Sequence, residues 1–185
     1  MSRFSEFPAH VEAYLGKIRG AEGPETDERN RGYHLIYCDP AHSAHVSVLT
    51  SGLRSHTAGA PLPHEVVCTL HADQERYARH LTGSIAELLT ESESRVGPGA
   101  LITNDRILLP DTEICGALAA PHPYLGEDFD VLRDADGTAV LRIITLIPIT
   151  RGEAQLVARY GSDVLYDRWE QHGSDLLSVY RTAVG

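Results

Sequence analysis

The sequence predicts an α+β domain, a mixed and mainly antiparallel sheet with helices packed against it, on three observations. Short segments that alternate apolar and polar residues follow one another between residues 32 and 71. The run Val140-Leu141-Arg142-Ile143-Ile144-Thr145-Leu146-Ile147 is apolar on both faces except at Arg142, as expected of a central strand covered on two sides. Helical periodicity is confined to the beginning, the middle and the end of the chain. The 185 residues are enough to bury roughly 70 % of the unfolded surface around one core. No repeat or linker divides them, so residues 1–185 are expected to form a single domain.

Along the chain, Phe4, Phe7, Val11, Tyr14, Leu15 and Ile18 share helical spacing, and Pro8 suits a first turn, so a helix is expected over 7–19. Residues 20–31 are polar, carry Gly and Pro, and read as a loop. Strands are expected over 32–38 and 43–50, joined by a turn at Asp39-Pro40-Ala41-His42, and a third over 64–71 with Val66, Cys68 and Leu70 on one side. Between them, residues 50–63 read as a loop. Asp73 is placed to cap a helix whose stripe is Tyr77, Leu81, Ile85, Leu88 and Leu89. Gly97-Pro98-Gly99 breaks regular structure, and residues 114–120 read as another strand. Asp134-Ala135-Asp136-Gly137 marks a hairpin between 129–132 and the central strand, with Pro148 expected to end the latter. Thr150 and Glu153 form a capping box for a helix that runs to Tyr160 and closes at Gly161. Ser162 is expected to cap a second helix with Leu165 and Trp169, and a last helical turn carries Leu176, Leu177 and Tyr180.

Composition narrows the function. With 42 % hydrophobic and 23 % charged residues the chain is globular, and its net charge of −10 argues against nucleic acid or an anionic membrane as partner. It suits a basic protein partner. The three cysteines form no CxxC pair, so no disulfide framework is expected. Met1 to Glu6 has no signal-like apolar run, and no stretch approaches the roughly 18 apolar residues of a membrane helix. A cytoplasmic protein is expected.

Chemistry-bearing patterns are weak. Ten histidines invite a metal site, but His42 and His45 are spaced to opposite faces, as are His64 and His71, and no HExxH, HxH or HxxxH occurs. There is no GxSxG elbow, no phosphate-binding glycine loop, and no nucleophile with partnered acid and base. Cys68 and Cys115 fall within strands, while Cys38 is expected to be the most exposed thiol. The acidic pairs Glu91 with Glu93, Glu127 with Asp128 and Asp130, and Asp134 with Asp136 read as solvated turns. Arg142 is expected to be a paired buried charge. The residues thus point to a binding domain with no cofactor and no catalytic role.

From the third strand onward the chain resembles the suppressor-of-fused family. The resemblance rests on an ordered set: Leu49-Thr50-Ser51-Gly52-Leu53, Glu65-Val66-Val67-Cys68-Thr69-Leu70, the Tyr77 to Leu89 helix, Gly99, Leu141 to Thr150 followed by Glu153, then Gly161, Leu165, Asp175-Leu176-Leu177 and Arg181. Arg54 stands where the family usually has Ser, and Ala100 where animal members carry the Asp that engages their transcription-factor peptide. The resemblance implies a bacterial single-domain member and a non-catalytic protein-binding role. Such members are similar to immunity proteins that neutralise the cognate domain of a polymorphic toxin. The alternatives are a regulatory module that sequesters a peptide of another cytosolic protein, such as a transcription regulator, and a metal-dependent hydrolase. The contact residues expected from exposed aromatics beside acidic charge are Leu53 and Arg54 in the 52–63 loop, and Tyr124, Glu127 and Asp128 in the 121–128 segment.

Overall fold

The long apolar strand β8, Ala139–Thr150, organises the domain. In the computed structural model, which describes residues 4–25, 30–39, 44–91, 96–104 and 106–184, its side chains alternate between two buried faces. Ile144 and Leu146 enter one apolar cluster, while Leu141 and Ile143 enter a second, and Ile147 and Ile149 a third, on the opposite face.

Around β8 the described strands build a mixed eight-stranded sheet ordered β1-β2-β3-β4-β8-β6-β5, with β7 also on β8. They are β1 (Lys17–Glu22), β2 (His34–Asp39), β3 (His45–Ser51), β4 (His64–His71), β5 (Leu101–Thr103), β6 (Ile114–Ala120) and β7 (Val131–Arg133). Only β4 and β8 pair in parallel, with His64 opposite Arg142; the other named pairs are antiparallel. Strands β7 and β6 share the remaining edge of β8 end to end, β7 reaching Arg142 and β6 taking over at Thr145.

Helix α2, Glu75–Glu91, covers one face of the sheet through Tyr77, Ala78, Leu81, Ile85, Ala86 and Leu89. Each large side chain buried there contributes about 1.5–3 kcal/mol. Leu88, expected on this stripe, is 47 % exposed, and Ala78 and Ala86 complete the buried face. The other face carries α1, Phe7–Leu15, over one half and the pair α4, Arg151–Tyr160, and α5, Ser162–His172, over the other. A short helix, α3 (Glu127–Asp130), leads into β7. The Thr150–Glu153 capping box starts α4 as its sequence pattern requires.

Several expectations are corrected. Gly16, at φ 83°, ends α1 at Leu15, and Lys17–Glu22, expected as the end of the helix and the start of a loop, forms β1 instead. That strand is mostly exposed, so no alternation announces it. Pro148 does not end β8: it sits opposite Ala117, and its carbonyl accepts from Arg181 at 2.6 Å. Gly161, not Ser162, occupies the cap position of α5, and no side chain caps it. The C-terminal residues expected as a helical turn run as successive turns, tied down where the His71 amide donates to the Leu177 carbonyl and the Val179 amide to Gln74 Oε1. Cys38, expected to be the most exposed of the three thiols, is fully buried like Cys68, and Cys115 is buried with 3 % exposure. Pro40, Ala41 and His42 of the expected turn, and Glu93, lie outside the described residues.

Candidate protein-interaction site

Between the α1 cluster and the α4–α5 cluster, the sheet presents a polar seam. Ser47 Oγ and Thr69 Oγ1 hydrogen-bond at 2.8 Å, and Thr145 is buried on the same face. The segment that links β6 to β7 closes this seam with His122, whose ring is 6 % exposed and meets Phe129 edge-on at 5.3 Å. The Tyr124 amide donates to His122 Nδ1 at 3.2 Å, so the ring proton sits on Nε2, which reaches Thr69 Oγ1 at 3.3 Å. Burial pushes the His122 pKa down to about 4, and the ring is neutral at physiological pH. The His122 amide in turn donates to Asp130 Oδ1 at 2.9 Å. Burial raises the Asp130 pKa, while that amide and the positive charge of Arg142 oppose the rise.

These bonds pin a segment whose tip faces solvent. Tyr124 is 57 % exposed, and Glu127 and Asp128 are exposed beside it. Between this tip and α5 lies an open hollow of about 540 Å³, lined by Pro123, Tyr124, Tyr166, Trp169, Glu170 and Leu176 among others. Its aromatic walls with a carboxylate at the rim suit a protruding cationic side chain, held by ring faces and by charge. On the other flank, Glu127 and Asp128 border a notch of about 230 Å³ where β7 and β6 meet along β8.

The expected contact residues therefore divide. Tyr124, Glu127 and Asp128 come together on one exposed segment. Leu53 is fully buried in the core under α2, which corrects its expected place at the surface. Arg54 points inward as well. Its Nη1 pairs with the buried carboxylate of Glu65 at 2.6 Å, and its guanidinium lies over the rings of Phe4 and Phe7 at 4.9 and 5.3 Å. Glu65 also accepts from Thr50 Oγ1 and from the amides of Gly52 and Leu53, so this carboxylate closes the turn after β3. Gly52 makes that turn at φ 117°, with its Cα against the Gly32 carbonyl, where a side chain would collide.

Arg142, expected to be paired, is half-buried without an ion pair among the described residues. His45 and His71 rings approach to 5.4 Å, and His71 Nε2 meets Asp175 at 2.6 Å. Among the described residues, no group of three or more His, Cys, Asp or Glu is gathered as a metal ion requires. None of the described helices is long and apolar enough to cross a membrane. Sequence reasoning missed the anchoring roles of His122 and Asp130. The Pro121-His122-Pro123 triplet, a polar ring fixed between two prolines beside a strand end, is the signal that could have found the first.

The layers and strand order define a known α+β fold. A suppressor-of-fused homologue from Neisseria gonorrhoeae FA 1090 superposes with a TM-score of 0.70 at 16 % identity, covering 96 % of this chain and 93 % of the other. Sufu in the crystal structure of the Sufu–Fu complex superposes at 0.69 and 14 % identity, over 98 % and 91 % of the two chains. The pattern of the Suppressor of fused protein (SUFU) family matches residues 29–182, and the chain belongs to that family. Immunity protein YqcF of Bacillus subtilis (strain 168) is 26 % identical over 165 residues, 85 % of this chain and 84 % of that protein.

Proposed function

We propose that this chain is an immunity protein that neutralises a basic toxin domain by covering it, with the Tyr124 segment and the hollow beside α5 as the central contact. The observation that carries this reading is the exposed Tyr124, held rigid by His122 and Asp130 and flanked by Glu127, Asp128 and Glu170. A rigid tyrosine gives contact area at little entropic cost, and acidic neighbours match a cationic partner. The net charge of −10 would speed encounter with such a partner, most strongly at low salt. Similarity to an immunity protein over most of both chains supports the same reading. The protein acts by binding, with no bond made or broken. A regulatory alternative, capture of an extended peptide of another protein, is favoured by one feature: β5 lies at the open edge of the sheet, where a further strand can pair.

The test is expression of each toxin domain found encoded next to this gene, with and without this chain. The expected result is arrested growth without it, restored growth with it, and a purified complex of fixed stoichiometry. Cells that lack this chain yet tolerate every adjacent toxin domain would overturn the proposal.

A further inference from the structure

On the α2 face of the sheet, away from the Tyr124 segment, lies a hollow of about 370 Å³. It falls within the usual range for ligand pockets, and its walls are largely apolar, with Pro61, Leu62, Val96 and Ile144 prominent. Two polar residues line it, His64 and Arg142. They are direct neighbours in the parallel register of β4 and β8, and therefore on one face of the sheet. His64 is only 3 % exposed, and its Nε2 is buried without a hydrogen-bond partner. With Nε2 unpartnered, the neutral ring can offer it as an acceptor for an N–H. Arg142 contributes a guanidinium with no ion pair among the described residues, close enough that its charge is felt by the imidazole. A buried polar atom left unsatisfied costs free energy that a matching ligand would return.

We infer that this hollow is a binding site for the carboxyl terminus of a polypeptide ending in an apolar residue. The terminal carboxylate meets Arg142, the last amide N–H donates to His64 Nε2, and the aliphatic side chain fills the space between Pro61, Leu62, Val96 and Ile144. The arrangement is selective in chemistry: a carboxylate without an adjacent N–H leaves His64 unsatisfied, and a neutral amide leaves Arg142 unpaired. The site opens on the α2 face and shares Arg142 with the notch beside Glu127 and Asp128, so peptide binding and toxin binding are read in separate experiments.

The experiment uses the whole chain and the probe acetyl-alanyl-leucine, followed by NMR of the backbone amides and the His64 ring. The expected result is saturable shifts at Leu62, His64, Gly97 and Arg142, with a dissociation constant on the order of 1 mM. The C-terminal amide of the same peptide, and the small acid 3-methylbutanoate, are expected to bind about tenfold more weakly. Arg142→Gln is expected to abolish the preference for the free carboxylate, and Arg142→Lys to retain part of it. Equal binding of acid and amide to the unmodified protein, shifts confined to other residues, or no saturation at about tenfold higher concentration would overturn the inference.

Discussion

Glu153→Gln keeps the shape of the side chain and removes a charge on which three elements converge. The carboxylate is fully buried. It accepts from the Thr150 amide at 2.9 Å, from Trp169 Nε1 at 2.8 Å and from Arg181 Nη2 at 2.8 Å. Arg181 is itself almost fully buried, with its guanidinium over the Trp169 ring at 5.3 Å. Burial lowers the Arg181 pKa, and the Glu153 charge opposes that fall. Glutamine can face the guanidinium or the Thr150 amide with an acceptor, yet its NH₂ must then point at a donor. Removing one member of a buried pair costs about 3–5 kcal/mol, a large part of a total stability of about 5–15 kcal/mol. At about 2–4 °C per kcal/mol for a chain of this size, the melting temperature falls by roughly 6–20 °C. Urea unfolding followed by the emission of Trp169, the single tryptophan, reads the loss at the group that reports it. Adding Arg181→Met to the variant should recover part of the loss, because the orphaned cation is gone. A loss below about 1 kcal/mol, the range of an exposed pair, would refute the reasoning.

Two further perturbations follow from the packing and the titrating groups. In Gly116→Ala, the new Cβ would lie 2.1 Å from the Ile102 carbonyl oxygen, so β5 must move off β6. The expected cost is about 1–3 kcal/mol, with hydrogen exchange at Leu101 to Thr103 accelerated more than in α2. His122 resists protonation when folded, down to about 4, whereas its unfolded ring takes a proton near 6.5. The unfolded state therefore binds more protons between those values. Stability is full above about pH 6.5 and falls by about 2–3 kcal/mol as the pH drops toward 4. The raised Asp130 pKa offsets part of that loss at the acid end. Denaturation curves across this window should be flatter for His122→Gln, and an equal slope in both proteins would contradict the assignment.

The elements that could be read in the sequence are those whose residues alternate against a core. Strand β8 was legible because both of its faces are buried, α2 because Tyr77, Leu81 and Ile85 share one side, and α4 because Thr150 and Glu153 cap it locally. Strand β1 was not, since Lys17 to Glu22 is held through backbone pairing to β2 and buries little. The C-terminal turns depend on distant partners, namely Gln74, Glu153 and the Pro148 carbonyl, which no local pattern encodes. The same distinction governs the site. Tyr124, Glu127 and Asp128 advertise themselves as polar or aromatic residues in a turn-rich segment, whereas Leu53 and Arg54 look alike in sequence and are drawn inward by Glu65. The register that sets His64 beside Arg142 is a property of the parallel pairing of β4 and β8, two strands with β5, β6 and β7 between them in the chain, and periodicity carries no trace of it.

Binding through a rigid tyrosine in an acidic field is tested most directly by measuring association and dissociation rates of this chain with the toxin domain it is proposed to neutralise, at low and high salt. Tyr124→Ala is expected to weaken the complex by at least about thirtyfold, chiefly through faster dissociation. Glu127→Gln with Asp128→Asn is expected to slow association and flatten its salt dependence. A folded Tyr124→Ala protein that binds as tightly as the unaltered chain would contradict the assignment of this surface.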